Sequence, residues 1–312
     1  MTLRCAIVTD DRKGGGGWHG KRLEQAFRAR RVEVGFFSLR SCRIDLTHGC
    51  DGLAIPGFEQ RLPDGVFVRG VAGGTFEQVT LRLDVLHAFR ELGIPVYNDA
   101  RAIERTVDKG MTSLLLARAG LPTPPTCVTE SPAQARSFLL RETAAGHGVV
   151  LKPLFGSQGV GVRRLEAGAD IPEASECNGV WYLQRYVETA TGETGGWHDW
   201  RVFVIAGVAV AGMVRRGATW VNNVAQGGRC EAARLDPDLE RLAVRACAAV
   251  GADYGGVDLV RDRDGRAHVL EVNGVPAWRG LQSVTRVDVA ERLVDDFLSR
   301  RIARTGEAAR TG

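Results

Sequence analysis

Apolar residues along this chain recur in two rhythms. Short continuous runs at 4–9, 32–39, 52–55, 66–68 and 95–97 read as buried strands. Between them, 20–30 set Leu23, Ala26 and Phe27 at helical spacing, and 76–92 carry a longer amphipathic pattern closed by Gly93 and Pro95. Strands alternating with helices predict a small parallel α/β domain ending near Asn98.

Beyond Asn98 the order changes. Residues 108–119 form a helical pattern with Asp108 in its first turn and Gly120 at its end. LPTPPT then enforces extended chain, because proline blocks helix at itself and at the residue before it. A helix over 131–144 precedes a strand at 149–151 that runs into Lys152-Pro153. Glycine-rich 155–161 leads to a strand ending at Leu165, and WYLQRYV at 181–187 is a further strand. Residues 188–196 read as a flexible connection, and 200–205 and 208–215 as a hairpin about Ala206-Gly207. Residues 217–228 are too polar and glycine-rich for regular structure. A helix at 237–250 has Leu239, Leu242, Ala243 and Ala246 as its core stripe, and another is expected at 287–298. The division is 1–98, 99–186, 187–300 and a disordered tail at 301–312.

Residues 254–280 organise the rest. Two apolar runs flank Asp264-Gly265, and Asp-Gly between alternating apolar runs signals a two-residue type I′ hairpin turn. That turn places Asp258 opposite Glu271, with Asn273 on the same face two residues on. Facing carboxylates repel unless a hard cation relieves them. A metal site and an ordinary solvated hairpin face both stay open, although Glu271 sits in the apolar run VLEV, where an unpaired charge is costly.

Composition narrows the class. The chain has 312 residues, 44% hydrophobic and 25% charged, as in a globular protein. No apolar run approaches the roughly 20 residues that span a bilayer. A net charge of +4, spread along the chain, does not indicate nucleic-acid binding. Seven scattered cysteines without a CxxC fit reduced thiols in a cytoplasm, and Cys42, His48 and Cys50 match no standard zinc spacing. Lys13, Lys21, Lys109 and Lys152 are the sole lysines among 41 basic residues. A compact ammonium suits a phosphate contact, which marks Lys109 and Lys152.

Gly15-x-x-x-x-Gly20-Lys21 imitates a P-loop, but Arg22 stands where Ser or Thr would hold Mg²⁺. A flexible or substrate-facing loop fits better. The glycines of 155–161 let backbone N–H groups approach phosphate oxygens, and Lys152 beside them strengthens that reading over a plain turn. Arg69, at a strand end, is a ligand contact or a surface charge.

From about Arg69 to Leu298 the chain resembles an ATP-grasp carboxylate–amine ligase of the RimK-like branch. TVDKGMTSLLLARAGLPTPPT, VVLKPLFGSQGVGV, LQRYVE, DWRVFVIAG, VAVAGMVRR, VNNVAQGG, GVDLV and VLEVN resemble successive family elements in order. The resemblance implies an α/β (α+β) ATP-grasp fold, with a small N-terminal domain and two α+β subdomains clamping ATP. It implies ATP contacts at Lys109 and Lys152, at Ser157, Gln158, Gly159 and Gly161 of the glycine loop, and at Asp199. Gln184, Arg185 and Val187 would border adenine, mostly through backbone groups. Asp258, Glu271 and Asn273 would hold two Mg²⁺, with Mn²⁺ as a substitute. Arg215, Arg216 and Lys152 would serve the chemistry, and Arg69, Arg201, Asn223 and Arg279 the substrate. The implied reaction activates a carboxylate as an acyl phosphate and couples it to an amine.

Two departures bear on the acceptor. The connection at 188–196 is longer than in glutamylating enzymes that modify ribosomal protein, and GVPAWRGLQ follows Asn273 where small residues would stand. The pattern is nearer the branch that adds glutamate to pterin or furan coenzymes. A small carboxylate-bearing acceptor, L-glutamate as amine and a dimeric or tetrameric assembly are therefore expected. Glutamylation of a protein tail or carrier protein, and a non-catalytic ATP-binding module, are the alternatives.

Overall fold

The computed structural model describes residues 2–11, 15–47, 49, 51–156, 159–189, 197–220 and 227–303. The chain forms two compact units. One comprises 1–104, 252–254 and 274–312, the other 105–251 and 255–273.

The first unit opens with β1 (Arg4–Val8), α1 (Gly17–Ala29) and β2 (Glu33–Phe37). The small pair β3 (Arg43–Ile44) and β4 (Leu53–Ala54) follows, then β5 (Gly65–Val68), α2 (Phe76–Glu91), β6 (Val96–Tyr97) and α3 (Ala100–Val107). A parallel sheet of order β2-β1-β5-β6 realises the predicted α/β domain. The run at 52–55 is the exception. Only two of its residues form a strand, β4, which pairs antiparallel with β3 outside that sheet and stops short of Pro56. One face of the sheet buries Ala6, Val8, Val66 and Val68 against Val85, Leu86 and Phe89 of α2. α2 begins with a capping box between Thr75 and Gln78, which satisfies two otherwise orphaned backbone donors.

The second unit contains two antiparallel sheets. α4 (Lys109–Arg118) is capped by Asp108, whose Oδ1 accepts from Met111 N at 3.0 Å. β7 (Thr126–Thr129), α5 (Pro132–Ala144), β8 (Val149–Lys152), β9 (Arg163–Leu165) and β10 (Trp181–Arg185) follow, with strand order β7-β10-β8-β9. Val149, Leu151, Trp181 and Leu183 pack against Ala135, Phe138 and Leu139 of α5. Alternation then turns Val150, Lys152, Tyr182 and Gln184 to the other face.

The second sheet has the order β13-β12-β11-β14-β15, from β11 (Trp197–Ile205), β12 (Val208–Gly217), β13 (Arg229–Ala232), β14 (Tyr254–Arg261) and β15 (Ala267–Asn273). α6 (Pro237–Val250) buries Leu239, Leu242, Ala243 and Ala246 as the periodicity predicts, and ends at Gly251 with φ +77°. β11 starts three residues before the predicted strand, which brings Asp199 into the ladder opposite Arg215.

The β14–β15 hairpin departs from its predicted turn. Arg263, Asp264 and Gly265 form a three-residue loop in which Asp262 N donates to Arg266 O at 3.0 Å and Gly265 N to Asp262 O at 3.0 Å. Gly265 alone takes positive φ, +79°, so this is not a type I′ turn. Asp262 Oδ1 accepts from the N–H of Asp264 and Arg266 at 3.0 and 2.9 Å, which favours the longer loop. A bulge at Leu270 then shifts the register back, and Asp258 faces Glu271 after all.

The chain ends in the first unit with α7 (Arg279–Gln282), α8 (Val289–Asp296) and a π-helical turn at Phe297–Ile302. Residues 274–303 therefore pack with the N-terminal part of the chain, although the sequence division puts 274–300 with 187–300 and 301–303 in the disordered tail; Arg301 and Ile302 belong to the π-helical turn. The cause is burial: Phe297 meets Phe27 and Tyr97 with ring centroids 5.9 and 5.4 Å apart. Residues 304–312 of the predicted tail lie outside the described residues.

Candidate active site

A pocket in the second unit draws on both of its sheets. Val150, Lys152, Gln184 and Val187 line it from one, and Asp199, Arg215, Asp258, Leu270 and Glu271 from the other. Asp258 reaches it with Val260 by strand alternation. Leu270 and Glu271 are neighbours that both face it, because the bulge breaks the alternation there.

Lys152 ends β8 and donates from Nζ to Gln184 Oε1 at 2.8 Å. Gln184 is 2% exposed, and its Nε2 donates to Thr126 Oγ1 and Tyr182 OH, both at 3.1 Å. The amide is thereby fixed with its oxygen toward the ammonium. Lys109 Nζ donates to Gly156 O at 2.7 Å, tying the start of α4 to the glycine loop. Burial pushes both lysines below their ordinary pKa, and Glu271 opposes the fall at each; Lys109 lowers Lys152 further.

Glu271 itself makes no hydrogen bond or ion pair with a described residue, whereas Asp258 is fully engaged. Arg201 grips Asp258 through Nε and Nη2, both at 2.7 Å, and Arg215 Nη2 stands 2.9 Å from Asp258 Oδ2. Arg215 Nε also donates to Asp199 Oδ1 at 2.6 Å. Two guanidinium groups and two carboxylates thus make a neutral, buried quartet. Burial would raise the Asp258 carboxyl, but Arg201 and Arg215 hold it well below the usual range. Burial drives Asp199 upward against the opposing charge of Arg215.

Arg216, Arg69 and Arg279 do not line this pocket. Arg216 is next to Arg215 on β12, so it points to the opposite face, where its Nε donates to exposed Glu231 at 2.7 Å. Arg69 and Arg279 belong to the first unit, and Arg279 is exposed. Arg185 turns its side chain to buried Glu142, Nε to Oε2 at 2.7 Å, so only its backbone is left for a ligand. Gly159 lines the pocket; Gly161 stands close to Pro153, where a Cβ would come within 2.9 Å of the ring. Ser157, Gln158 and Asn223 lie outside the described residues, as do Lys13, His48 and Cys50, while Cys42 is buried. Asn273 pairs with Gly256 at the end of β15. The P-loop imitation fails locally: α1 already begins at Gly17, and Arg22 is paired with Asp288.

Sequence reasoning missed the role of Gln184 as the partner of Lys152, although Tyr182, Gln184 and Lys152 share one sheet face and the strand pattern WYLQR carries that signal. It also missed Tyr186 and Trp220, which meet edge to face with centroids 5.9 Å apart on the pocket wall.

Among the described residues no three His, Cys, Asp or Glu side chains are gathered as a metal site. A cation here would take few protein ligands, which suits Mg²⁺ completed by water and phosphate oxygens. Unpaired Glu271 offers hard oxygen ligands; Asp258 would have to share its own with the arginines. With the Arg185 guanidinium turned to Glu142, the lining holds Lys109, Lys152 and Arg215 against Asp199, Asp258 and Glu271, which leaves no net positive charge to meet a triphosphate.

Comparison with known proteins agrees. The family model of the RimK-like ATP-grasp domain matches residues 106–297. The chain is 36% identical over 243 residues to the tetrahydromethanopterin:alpha-L-glutamate ligase of Methanocaldococcus jannaschii, covering 75% of this chain and 79% of that protein. It is 30% identical over 299 residues to a probable alpha-L-glutamate ligase of Picosynechococcus, covering 94% of each. Among solved structures, the ATP-grasp ligase PsnB with a minimal precursor superposes with a TM-score of 0.71 at 24% identity, over 96% of this chain and 99% of that one. The D-cycloserine synthetase DcsG gives 0.71 at 22%, over 95% and 99%. At these identities the structures speak for the fold.

Proposed function

From the premise that this chain belongs to the RimK-like ATP-grasp family of carboxylate–amine ligases, we propose that it joins L-glutamate to a small carboxylate-bearing coenzyme of pterin or furan type. The observation that carries the reading is the convergence of Lys109, Lys152, Arg215 and unpaired Glu271 on one pocket. The similarity to tetrahydromethanopterin ligases supports the choice of acceptor.

In this proposal ATP lies with its adenine against the Arg185–Val187 backbone and its phosphates toward Lys109 and Lys152. A carboxylate oxygen of the acceptor attacks the γ-phosphorus, ADP leaves, and an acyl phosphate remains. The neutral glutamate amine then attacks the acyl carbon, phosphate departs with the C–O electron pair, and the nitrogen's surplus proton leaves with the phosphate. Lys152, held by Gln184, neutralises charge on the transferring phosphoryl group. Arg215, fixed by Asp199 and Asp258, faces the same charge without having to reorganise. Asp258, Glu271 and Asn273 are the proposed holders of Mg²⁺, which supplies Lewis-acid charge neutralisation at the phosphates. Gly156, Gly159 and Gly161, with exposed Phe155 and Val160, are proposed to cover the acyl phosphate and keep water from it. Arg69 and Arg279 are assigned to the acceptor. No helix among the described residues is long and apolar enough to cross a membrane. A cytoplasmic location and a dimeric or tetrameric assembly complete the proposal.

The test is a panel of acceptors, including tetrahydromethanopterin, methanofuran and a glutamate-ended peptide, incubated with ATP, Mg²⁺ and L-glutamate. A coenzyme product heavier by one glutamyl residue, with matching ADP release, is expected. Product on the peptide alone would move the assignment to protein tails.

A further inference from the structure

The first unit carries a second cluster of charged and aromatic groups. Its sheet order, β2-β1-β5-β6, reverses direction between β1 and β5. In open parallel sheets the crevice at such a reversal, beyond the C-terminal ends of the strands, is where ligands bind. Arg69 follows β5 directly, and its backbone N donates to Val8 O at the end of β1 at 2.8 Å. Arg69 thus stands at the C-terminal edge of these two strands, where such a crevice opens.

The guanidinium of Arg69 is held with one N–H left open. Nη1 donates to Pro276 O at 3.1 Å, and the Trp278 ring lies 4.8 Å from the guanidinium carbon. Nε is buried without a hydrogen-bond partner among the described residues; the Tyr254 hydroxyl bonds the rest of the guanidinium and Asp10 attracts it, and neither meets Nε. A sheltered cation with an open N–H is costly unless an anion completes it. His19 cannot supply that anion, nor does it add charge. Its Nε2 accepts from Trp278 N at 3.1 Å, which fixes the proton on Nδ1, and its ring meets Trp278 edge to face at 4.6 Å.

We propose that Arg69 anchors a carboxylate of the acceptor through Nε and the rest of its fork, with Trp278 and His19 as positioning residues that fix the guanidinium plane. The inference deepens the ligase reading and rests on it only for what the bound anion is used for. Exposed Arg279 then serves attraction rather than grip.

Glutarate, a probe for a carboxylate-ended acceptor, and its neutral isostere glutaramide are titrated into the protein loaded with ADP and Mg²⁺, read by tryptophan indole NMR shifts. Arg69→Met should weaken glutarate by about tenfold or more, Arg69→Lys should fall between, and glutaramide should bind wild type no better than glutarate binds Arg69→Met. His19→Ala should weaken glutarate and His19→Gln, which keeps an acceptor for Trp278 N, should restore it. ADP titration of each variant checks that it is folded. The proposal is overturned if wild type does not bind glutarate, does not distinguish it from glutaramide, or loses nothing in Arg69→Met. Arg69-dependent glutarate binding without any ATP-dependent ligation would instead count against the ligase reading and leave the anchor standing.

Discussion

Lys152 and Gln184 stand side by side on antiparallel strands β8 and β10, Nζ to Oε1 at 2.8 Å, and the amide's other end is tied to Thr126 and Tyr182. An ammonium aimed this way meets a phosphate without first losing side-chain freedom. Gln184→Leu leaves a buried lysine and two hydroxyls without that partner. A stability loss of about 1–3 kcal/mol in urea unfolding is expected, with ATP binding weakened about tenfold. Unchanged ATP affinity in a folded Gln184→Leu protein would show that the pair is only structural.

Lysine substitutions separate the two glycine-rich loops. Lys152→Ala should reduce turnover by about a hundredfold or more, as loss of a preorganised cation does in phosphoryl transfer. Lys21→Ala should leave ATP affinity and turnover as they are, because Lys21 is exposed within α1. The opposite ranking in nucleotide titrations would revive the P-loop reading.

The two facing carboxylates should respond differently to loss of charge. Glu271→Gln removes an unpaired oxygen donor, so the fold should stand while Mg²⁺-dependent turnover falls by about a hundredfold or more. Asp258→Asn strips charge from a group serving two arginines and should destabilise the protein by about 3–5 kcal/mol. Chelation with EDTA should abolish turnover in wild type and leave the melting temperature nearly unchanged. Thermal melts beside activity at stepped Mg²⁺ distinguish these outcomes.

His19 gives a pH signature. Burial first, then Arg69 and Arg279, lower its pKa from 6.5 to about 4. Between those values the unfolded chain holds the proton and the folded one does not, so stability rises with pH. The contribution, less than about 3 kcal/mol once water screens the partly exposed ring, is complete above pH 6.5 and is lost as pH falls toward 4. Urea midpoints from pH 4 to 7.5 should show the slope in wild type and a flatter profile in His19→Gln.

Asp262 should matter more than its place in a surface loop suggests. Its two oxygens accept from Asp264 N, Arg266 N and His268 Nε2. Asp262→Ala should cost about 1–2 kcal/mol by equilibrium unfolding.

Much of this was legible because periodicity reports burial. The parallel sheet, α6 and the β11–β12 hairpin follow from apolar spacing and turn residues. The pairing of Asp258 with Glu271 was legible too, but by a route the chain does not take. A three-residue loop displaces the register by one, and the bulge at Leu270 displaces it back. A sequence records neither offset, because Asp262's bonds to the loop and the extra residue at 270 arise only in the folded hairpin. Strand β13 escaped because its residues, Arg229 to Ala232, carry no apolar alternation and gain order from pairing with β12. Arg215 and Arg216 look alike in sequence, and only strand parity separates the inward one from the outward one.

Asn98 Nδ2 donates to Tyr254 O and Gly274 O at 2.7 and 2.6 Å, and its Oδ1 accepts from Asp253 N and Tyr254 N at 2.7 and 3.2 Å. These contacts bracket residues 255–273, the segment that carries Asp258 and Glu271. A single amide thus clasps both ends of that excursion in the folded chain, so the cost of closing the loop is met at one buried side chain. The hairpin is in this sense tethered at its roots, by a side chain that does not line the pocket.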